Sequence, residues 1–394
     1  MSAYLHCVLF ITEGASMTKS PPLWLLMLLT MFPQIAETLY SPALPAISRA
    51  YGVEHAIAAQ TLSIYFLAFA PGVVFWGIFC DRKGRRTAML AGLVIYMLAA
   101  VAALFSTSIT ELLVLRAISA FGAAVGSVVT QTMLRDCFQG GALAKVFATL
   151  GAGIAMSPAL GMVLGGGLVS LSGHLAVFAA LATLAAMLII CSLFALPETR
   201  PTHLVNNREC LPVARAMLRD RALQHSALLV AGFNLLIFTW YQQGAALFVR
   251  LGMSVDIFGY SGLLLAIATL LGSLINRAML THHLPANVQV RVACIITVIA
   301  TAGGLLLQDR LWVIVPVGLM AMAFGMGIPA LLSQALVAYS AQRGTAGALF
   351  GLYYYLLLAL GLTVMGYMEQ WFLALFAVSV AMCLLALRRR DNPV

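Results

Sequence analysis

Long apolar runs, separated by short polar stretches, follow one another along almost the whole chain. A helix needs about 20 residues to cross the hydrocarbon core of a bilayer, so each run predicts one membrane-spanning helix. No stretch shows the short alternating segments that are typical of a membrane β-barrel. The predicted spans lie near 22–46, 57–80, 87–106, 109–134, 143–171, 174–196, 223–249, 256–280, 288–308, 311–338, 344–366 and 369–388.

These spans form two groups of six, which predicts a transporter fold built from two repeats. The predicted division is a tail at 1–21, a first six-helix half at 22–196, a cytoplasmic linker at 197–222, a second half at 223–388 and a tail at 389–394. A short internal echo supports the repeat. Gly77-x-x-x-Asp81-Arg82 recurs as Gly272-x-x-x-Asn276-Arg277 after 195 residues. Residues 1–16 suit neither a signal peptide nor a span, so we expect a disordered tail or a mis-assigned start.

The composition agrees with an all-α membrane protein. The chain is 62% hydrophobic and only 9% charged, with a mean hydropathy of +0.99, whereas soluble domains average about 25% charged residues. The seven cysteines are scattered and form no C-x-x-C pair. This argues against a metal cluster or a disulfide framework, and we expect neither a metal nor a cofactor.

Lysine and arginine positions predict the orientation, because cytoplasmic loops carry an excess of both. With both termini in the cytoplasm, eighteen of the 22 basic residues fall inside, three fall outside and Arg116 lies within a span. This segregation explains the net charge of +9 as a topology signal, so we expect no nucleic-acid partner.

The loop after the second span reads Gly77-Ile78-Phe79-Cys80-Asp81-Arg82-Lys83-Gly84-Arg85-Arg86. We interpret Gly77 as a site of close helix contact, Asp81 as the end of a helix and Gly84 as a tight turn. A plain positive-inside loop would explain the basic residues but not the glycines and the aspartate between them.

This loop resembles the G-x-x-x-D-R-x-G-R-R signature of major facilitator transporters. The resemblance implies the major facilitator fold of 12 transmembrane helices. It also implies that Asp81 docks against the start of span eleven, where Thr345 is a candidate N-cap. The implied gating residues are Gly77, Asp81, Arg82, Gly84, Arg85, Arg86, Asp136 and Thr345.

Span five carries small residues at every fourth position. Gly153, Ser157, Gly161 and Gly165 form one ridge for close helix packing, and Pro158 is expected to bend the helix. Packing alone could account for the ridge. The pattern nevertheless resembles the span-five motif of major facilitator antiporters and so favours export, although Met162 departs from it.

Two further segments narrow the resemblance. The end of span one, at 34–45, resembles a segment of the Bcr/CflA drug-resistance branch of drug:proton antiporters, and Pro197-Glu198-Thr199-Arg200-Pro201 and Arg135-Asp136 also fit that branch. This resemblance implies a multi-pass protein of the bacterial cell inner membrane that acts in multidrug efflux and antibiotic resistance.

Glu37 is the one carboxylate predicted deep inside a span, about 20 Å along span one. An ionised carboxylate at that depth is costly unless it is paired. Arg116 in span four is the natural partner. We predict that this pair couples transport to protons, and the alternative is a static salt bridge that holds two helices together.

Aromatic and amide residues within the spans are candidates for an aromatic cavity that binds amphipathic or cationic molecules. For each of them core packing is an alternative, and Trp240 and Tyr241 could instead belong to an interfacial belt. The candidates are Tyr40, Tyr65, Phe69, Gln131, Asn234, Trp240, Tyr241, Gln242, Gln334, Tyr353 and Tyr354.

The sequence thus predicts a proton-coupled exporter of small amphipathic organic molecules or drugs, working as a monomer with protons and membrane lipids as its other partners. Two alternatives stay open: a dedicated metabolite or siderophore exporter on the same fold, and a uniporter or proton-coupled importer. The chain has no G-x-S-x-G, H-E-x-x-H or P-loop segment, which argues against an enzyme or a primary pump.

Overall fold

In a computed structural model, the protein is a bundle of long helices. The structure describes residues 20–200, 215–335, 339 and 343–388. For residues 144, 148, 151, 152 and 343–345 it describes the backbone only. Its main helices are α1 (Leu23–Tyr40), α2 (Leu44–Tyr51), α3 (His55–Lys83), α4 (Arg85–Ala103), α5 (Ile109–Cys137), α6 (Gly140–Ala195), α7 (Arg221–Arg250), α8 (Val255–Thr281), α9 (Ala286–Leu307), α10 (Ile314–Ala335), α11 (Arg343–Tyr367) and α12 (Trp371–Arg388).

The predicted count of twelve spans is confirmed. Within the described residues, eleven helical stretches are long and apolar enough to cross a membrane. The longest belongs to α6, whose 56 residues hold two predicted spans. Gly173 separates them with φ 73° and ψ −169°, a conformation that glycine adopts at little cost. We call α1–α6 the first half and α7–α12 the second half, while the exact domain boundaries remain a prediction.

The bundle has two ends. The Leu23 end is where α1 begins, α3 ends and α4 begins. The Ser41 end is where α1 ends, α3 begins and α7 ends. At the Ser41 end the halves touch directly, because the hydroxyl of Ser41 donates a hydrogen bond to the carbonyl oxygen of Tyr241. Further along the interface, α6 packs on α8 and α3 packs on α11.

The glycine ridge of span five packs against α1. A β-carbon at Gly161 would collide with Oγ1 of Thr38, and one at Gly165 would collide with the carbonyl oxygen of Leu39. Ser157 is buried and donates a hydrogen bond of 2.9 Å to the carbonyl oxygen of Gly153. The small residues therefore let the backbones of α6 and α1 approach each other, which is the close packing that the sequence predicts.

We expect Gly165→Ala to destabilise the protein, because its methyl group would push the α1 backbone away. Overpacking of this kind costs about 1–3 kcal/mol, and thermal unfolding in detergent would measure it. The matched control is Gly167→Ala, since a β-carbon at Gly167 meets no atom within 4 Å. That control should leave the unfolding midpoint unchanged or slightly raised. Equal midpoints for the two variants would contradict the proposed role of the ridge.

The predicted loop chemistry holds in part. Gly84 has φ 102°, and a β-carbon there would collide with the Glu198 carboxylate, so the tight turn needs glycine. Gly77 does not make the close contact that we predicted, because a β-carbon there would meet Val128 at an ordinary 3.6 Å. Asp81 does not end α3, which continues to Lys83; its carboxylate pairs with Arg85 at the start of α4.

Thr345 is not the N-cap of α11, because the helix already includes Arg343. A cap lies outside the hydrogen-bonded turns that it closes, and Thr345 lies two residues within them. The side chain of Thr345 is outside the described set, so its predicted contact with Asp81 stays a prediction.

Candidate functional site

Arg85 organises an ionic cluster at the Leu23 end. Its guanidinium is buried and lies 2.9 Å from a carboxylate oxygen of Asp81 and 2.9 Å from one of Asp136. It also donates to the carbonyl oxygen of Cys80 at 2.9 Å, close to the end of α3. Asp81, at 56% side-chain exposure, faces solvent on its other side. The cluster therefore links the α3–α4 turn to the end of α5, and the acceptors that Arg85 has among the described residues lie in the first half.

Glu198 brings the segment after α6 into the same cluster. Its carboxylate accepts hydrogen bonds from the backbone N–H groups of Arg85 at 2.8 Å and Arg86 at 3.2 Å, which are the first two residues of α4. A carboxylate at a helix start satisfies unpaired donors and complements the helix dipole. Thr199 adds a hydrogen bond of 3.2 Å to Asp136. The Pro-Glu-Thr-Arg segment therefore ties the end of the first half to its gating turn.

Arg116 lies in the interior of the first half, and its guanidinium is stacked on tyrosine rings. The carbon Cζ is 4.0 Å from the ring centroid of Tyr40 and 4.8 Å from that of Tyr65. The arginine is only 2% exposed. Desolvated cation–π contacts of this kind contribute about 2 kcal/mol, and they bring together two of the predicted cavity residues.

Glu37 is also buried, at 3% exposure, one helical turn before Tyr40 in α1. The predicted ion pair is wrong for this conformation. Although both residues are in the described part of the chain, Glu37 and Arg116 form no salt bridge there, because the guanidinium is turned to the tyrosine rings. Oε1 of Glu37 is buried without a hydrogen-bond partner. This oxygen is thus available to a new partner.

Three glutamine side chains join the halves at the Ser41 end, and we call them the closing glutamines: Gln60, Gln242 and Gln243. The amide nitrogen of Gln242 lies 2.9 Å from the carbonyl oxygen of Ala59 and 3.2 Å from the hydroxyl of Ser63, both in α3. It also lies 3.2 Å from the carbonyl oxygen of Leu362 in α11. Gln242 is fully buried, so it belongs to the closure and not to an open cavity as predicted.

The other two closing glutamines make similar contacts. Gln243 donates to the carbonyl oxygen of Met365 at 2.9 Å, and its oxygen lies 3.1 Å from Nε2 of His55. Gln60 donates to the carbonyl oxygen of Thr363 at 3.3 Å. These contacts are neutral or nearly so, and they can break without leaving a bare charge in the bilayer.

Further from the Ser41 end than the closing glutamines, aromatic rings of the two halves contact each other. Phe66 of α3 lies 4.7 Å from Phe238 of α7 and 6.1 Å from Tyr355 of α11, as measured between ring centroids. Phe69, a predicted cavity residue, lies 5.1 Å from Tyr355. Tyr241 packs on Phe238 at 5.3 Å. We call these rings the aromatic surface: Phe66, Phe69, Phe238, Tyr241 and Tyr355. Phe69 and Tyr241 are its two predicted cavity residues.

The remaining predicted cavity residues divide into two sets. Trp240 is 1% exposed, donates a hydrogen bond to Ser261 at 3.3 Å and packs on Phe258 at 5.7 Å between ring centroids. It is therefore a core residue of the second half, and it belongs neither to the predicted cavity nor to an interfacial belt. The others are exposed or half-buried: Gln131, Asn234, Gln334, Tyr353 and Tyr354. The exposure of the interface side chains thus increases towards the Leu23 end.

Sequence reasoning missed Phe66, Phe238 and Tyr355 of the aromatic surface, and His55, Gln60 and Gln243 of the closure. The signal that could have found the first group is aromatic spacing. Phe66 and Phe69 are three residues apart, as are Phe238 and Tyr241, and residues at that spacing share a helix face. The closure residues lie at span ends, where polar residues are ordinary.

Comparison with known proteins identifies the fold and the family. The model of the Major Facilitator Superfamily matches residues 26–366. An uncharacterized transporter of Rickettsia bellii (strain RML369-C) is 29% identical over 355 residues, or 86% of this chain and 87% of that protein. Multidrug resistance protein D of Escherichia coli (strain K12) is 32% identical over 186 residues, or 47% of each chain. The crystal structure of a D-xylose-proton symporter superposes with a TM-score of 0.73 at 14% identity, over 93% of this chain and 95% of that one, a likeness that shows the fold alone.

Proposed function

The chain belongs to the major facilitator superfamily, and from that premise we propose that it is a proton-coupled exporter of small amphipathic organic molecules. As a member of that superfamily it is a multi-pass membrane transporter of small molecules and not an enzyme. Proton coupling, direction and cargo are the proposed parts. We place the protein in the bacterial inner membrane with the Leu23 end, and hence both termini, towards the cytoplasm.

The observation that carries the proposal is the buried carboxyl group of Glu37, whose Oε1 has no hydrogen-bond partner among the described residues. Such a group inside a membrane protein is expensive to keep, and a protonated carboxyl group is far cheaper there than an ionised one. Arg116 stacks on Tyr40, one turn beyond Glu37, and forms no salt bridge with Glu37 among the described residues. We infer that Glu37 is protonated in this conformation and that it pairs with Arg116 after releasing its proton.

The arrangement of the two ends supports alternating access. The closing glutamines join the halves at the Ser41 end and the aromatic surface joins them further along the bundle, whereas the interface side chains nearer the Leu23 end are more accessible. We assign this conformation to the state that is open towards the cytoplasm. Opening of the opposite end requires the closing glutamines to separate as the halves rock about the central site.

Similarity to Multidrug resistance protein D and the aromatic surface together favour amphipathic cargo. The ridge of span five adds support for export by resemblance to antiporters. A dedicated metabolite or siderophore exporter would use the same geometry, and so would an importer in the reverse direction.

Inside-out vesicles from cells expressing the chain would test the proposal. A proton gradient is established and followed with a fluorescent pH probe, and lipophilic cations, neutral antibiotics and siderophores are added one at a time. We expect at least one compound to dissipate the gradient, and its class names the cargo. If labelled substrates equilibrate without any proton movement, the antiport mechanism is wrong while the family assignment stands.

A further inference from the structure

A small, partly open cavity lies beside Arg116, among three helices of the first half. Its volume is about 10 Å³, which is room for one water-sized molecule or ion. Helices α4, α5 and α6 supply its walls. The lining residues are Tyr96, Ala99, Ala100, Ala103, Leu115, Arg116, Ser119, Phe178 and Leu181.

The polar side chains around this cavity are one guanidinium and two hydroxyl groups. Nε and Nη2 of Arg116 and the hydroxyl of Tyr96 are buried and have no hydrogen-bond partner within the described residues. The hydroxyl of Ser119 gives its proton to the carbonyl oxygen of Arg116 at 2.9 Å. The other lining side chains are apolar, and no carboxylate is among them.

Charge decides which species fits. Arg116 is 2% exposed, and a buried guanidinium without a counter-charge is costly. The rings of Tyr40 and Tyr65 stabilise its faces, but they leave the in-plane N–H groups unbound. A water molecule could accept from Arg116 and donate to the hydroxyl oxygens of Tyr96 and Ser119, but it would bring no negative charge to the guanidinium. An anion accepts from every donor and also supplies that charge.

We propose that this cavity binds a single small monovalent anion of the chloride type. The anion accepts hydrogen bonds from Arg116 and from the hydroxyl of Tyr96, and it fixes the guanidinium in its position over Tyr40 and Tyr65. The site is separate from Glu37, which does not line the cavity, and its occupancy is measurable without transport.

The test is chloride-dependent stability of the purified full-length protein. The protein is prepared in detergent in sodium gluconate, and thermal unfolding is recorded while chloride replaces gluconate at constant ionic strength. A ligand that binds only the folded state raises the unfolding midpoint with its concentration. We expect a saturating rise with chloride. Equal midpoints in chloride and gluconate would show that water fills the cavity and would overturn the proposal.

Tyr96→Phe locates the site. It removes one donor to a charged ligand and keeps the ring that packs on Phe32 at 4.7 Å, so it should fold. We expect the chloride concentration at half-effect to rise about tenfold. The matched control is Tyr260→Phe, which removes an exposed hydroxyl and should leave the chloride response unchanged. An unchanged response in Tyr96→Phe would place the anion elsewhere and reject this site.

Discussion

Vesicles containing Glu37→Gln are expected to show no proton movement on addition of a cargo that dissipates the gradient with the unaltered protein. The glutamine side chain has the same shape but cannot take up or release a proton. Glu37 is buried and its Oε1 has no hydrogen-bond partner, so the substitution breaks no salt bridge in this conformation. Proton-driven transport should fall to the level of vesicles without the protein, whereas binding of cargo should remain measurable.

The control for this variant is Glu54→Gln, which removes an exposed carboxylate just before α3. It should retain proton-driven transport. The unfolding midpoint of Glu37→Gln distinguishes a defect in proton coupling from misfolding. Replacement of a buried carboxyl group by a neutral amide should leave the unfolding midpoint of Glu37→Gln close to that of the unaltered protein. Full proton-driven activity of Glu37→Gln would remove Glu37 from the mechanism.

Span positions could be predicted because they depend on a one-dimensional property of the chain. An apolar run of the right length must be a helix inside a bilayer, and the predicted 57–80 and 223–249 agree with α3 and α7 to within a few residues. The predicted boundary between spans five and six, at 172–173, agrees with the break in α6 at Gly173, where the chain changes direction without a polar loop.

The partners of buried side chains could not be predicted in the same way. The depth of Glu37 and Arg116 along their spans was estimated well enough to place both in the core. Which atoms meet depends on the rotation of each helix and on side-chain rotamers. Tyr40 lies one turn beyond Glu37, and its ring occupies the position over Arg116 that we assigned to the carboxylate.

Trp240 and Gln242 illustrate the same limit. They are two residues apart in α7, and residues at that spacing point to different sides of a helix. Trp240 packs within the second half on Phe258, whereas Gln242 reaches α3 of the first half. Composition alone made both of them candidates for the cavity, and only the packing of α7 separates a core residue from a closure residue.

Gln242→Leu is expected to shift the protein towards the conformation that is open at the Ser41 end. The leucine keeps the volume but loses the contacts of the amide nitrogen with Ala59, Ser63 and Leu362. The carbonyl oxygens of Ala59 and Leu362 lie inside helices. Loss of the bonds from Gln242 therefore leaves neither oxygen without a donor in the closed form. Net hydrogen bonds contribute about 0.5–1.5 kcal/mol each. Loss of those that span the halves should therefore change the ratio of the two conformations about tenfold.

Spin labels at positions 49 and 250 would report this shift, since Arg49 and Arg250 are exposed at the Ser41 end on opposite halves. In a background without cysteine, pulsed distance measurements should show a longer separation gaining population in Gln242→Leu. Gln139→Leu, an exposed site at the Leu23 end, should keep the original distribution. If Gln242→Leu also keeps it, the closure depends on the aromatic contacts of Phe66 and Tyr355. Alternating access would then be governed by ring packing at the cargo site itself, and cargo that separates those rings would open the far end directly.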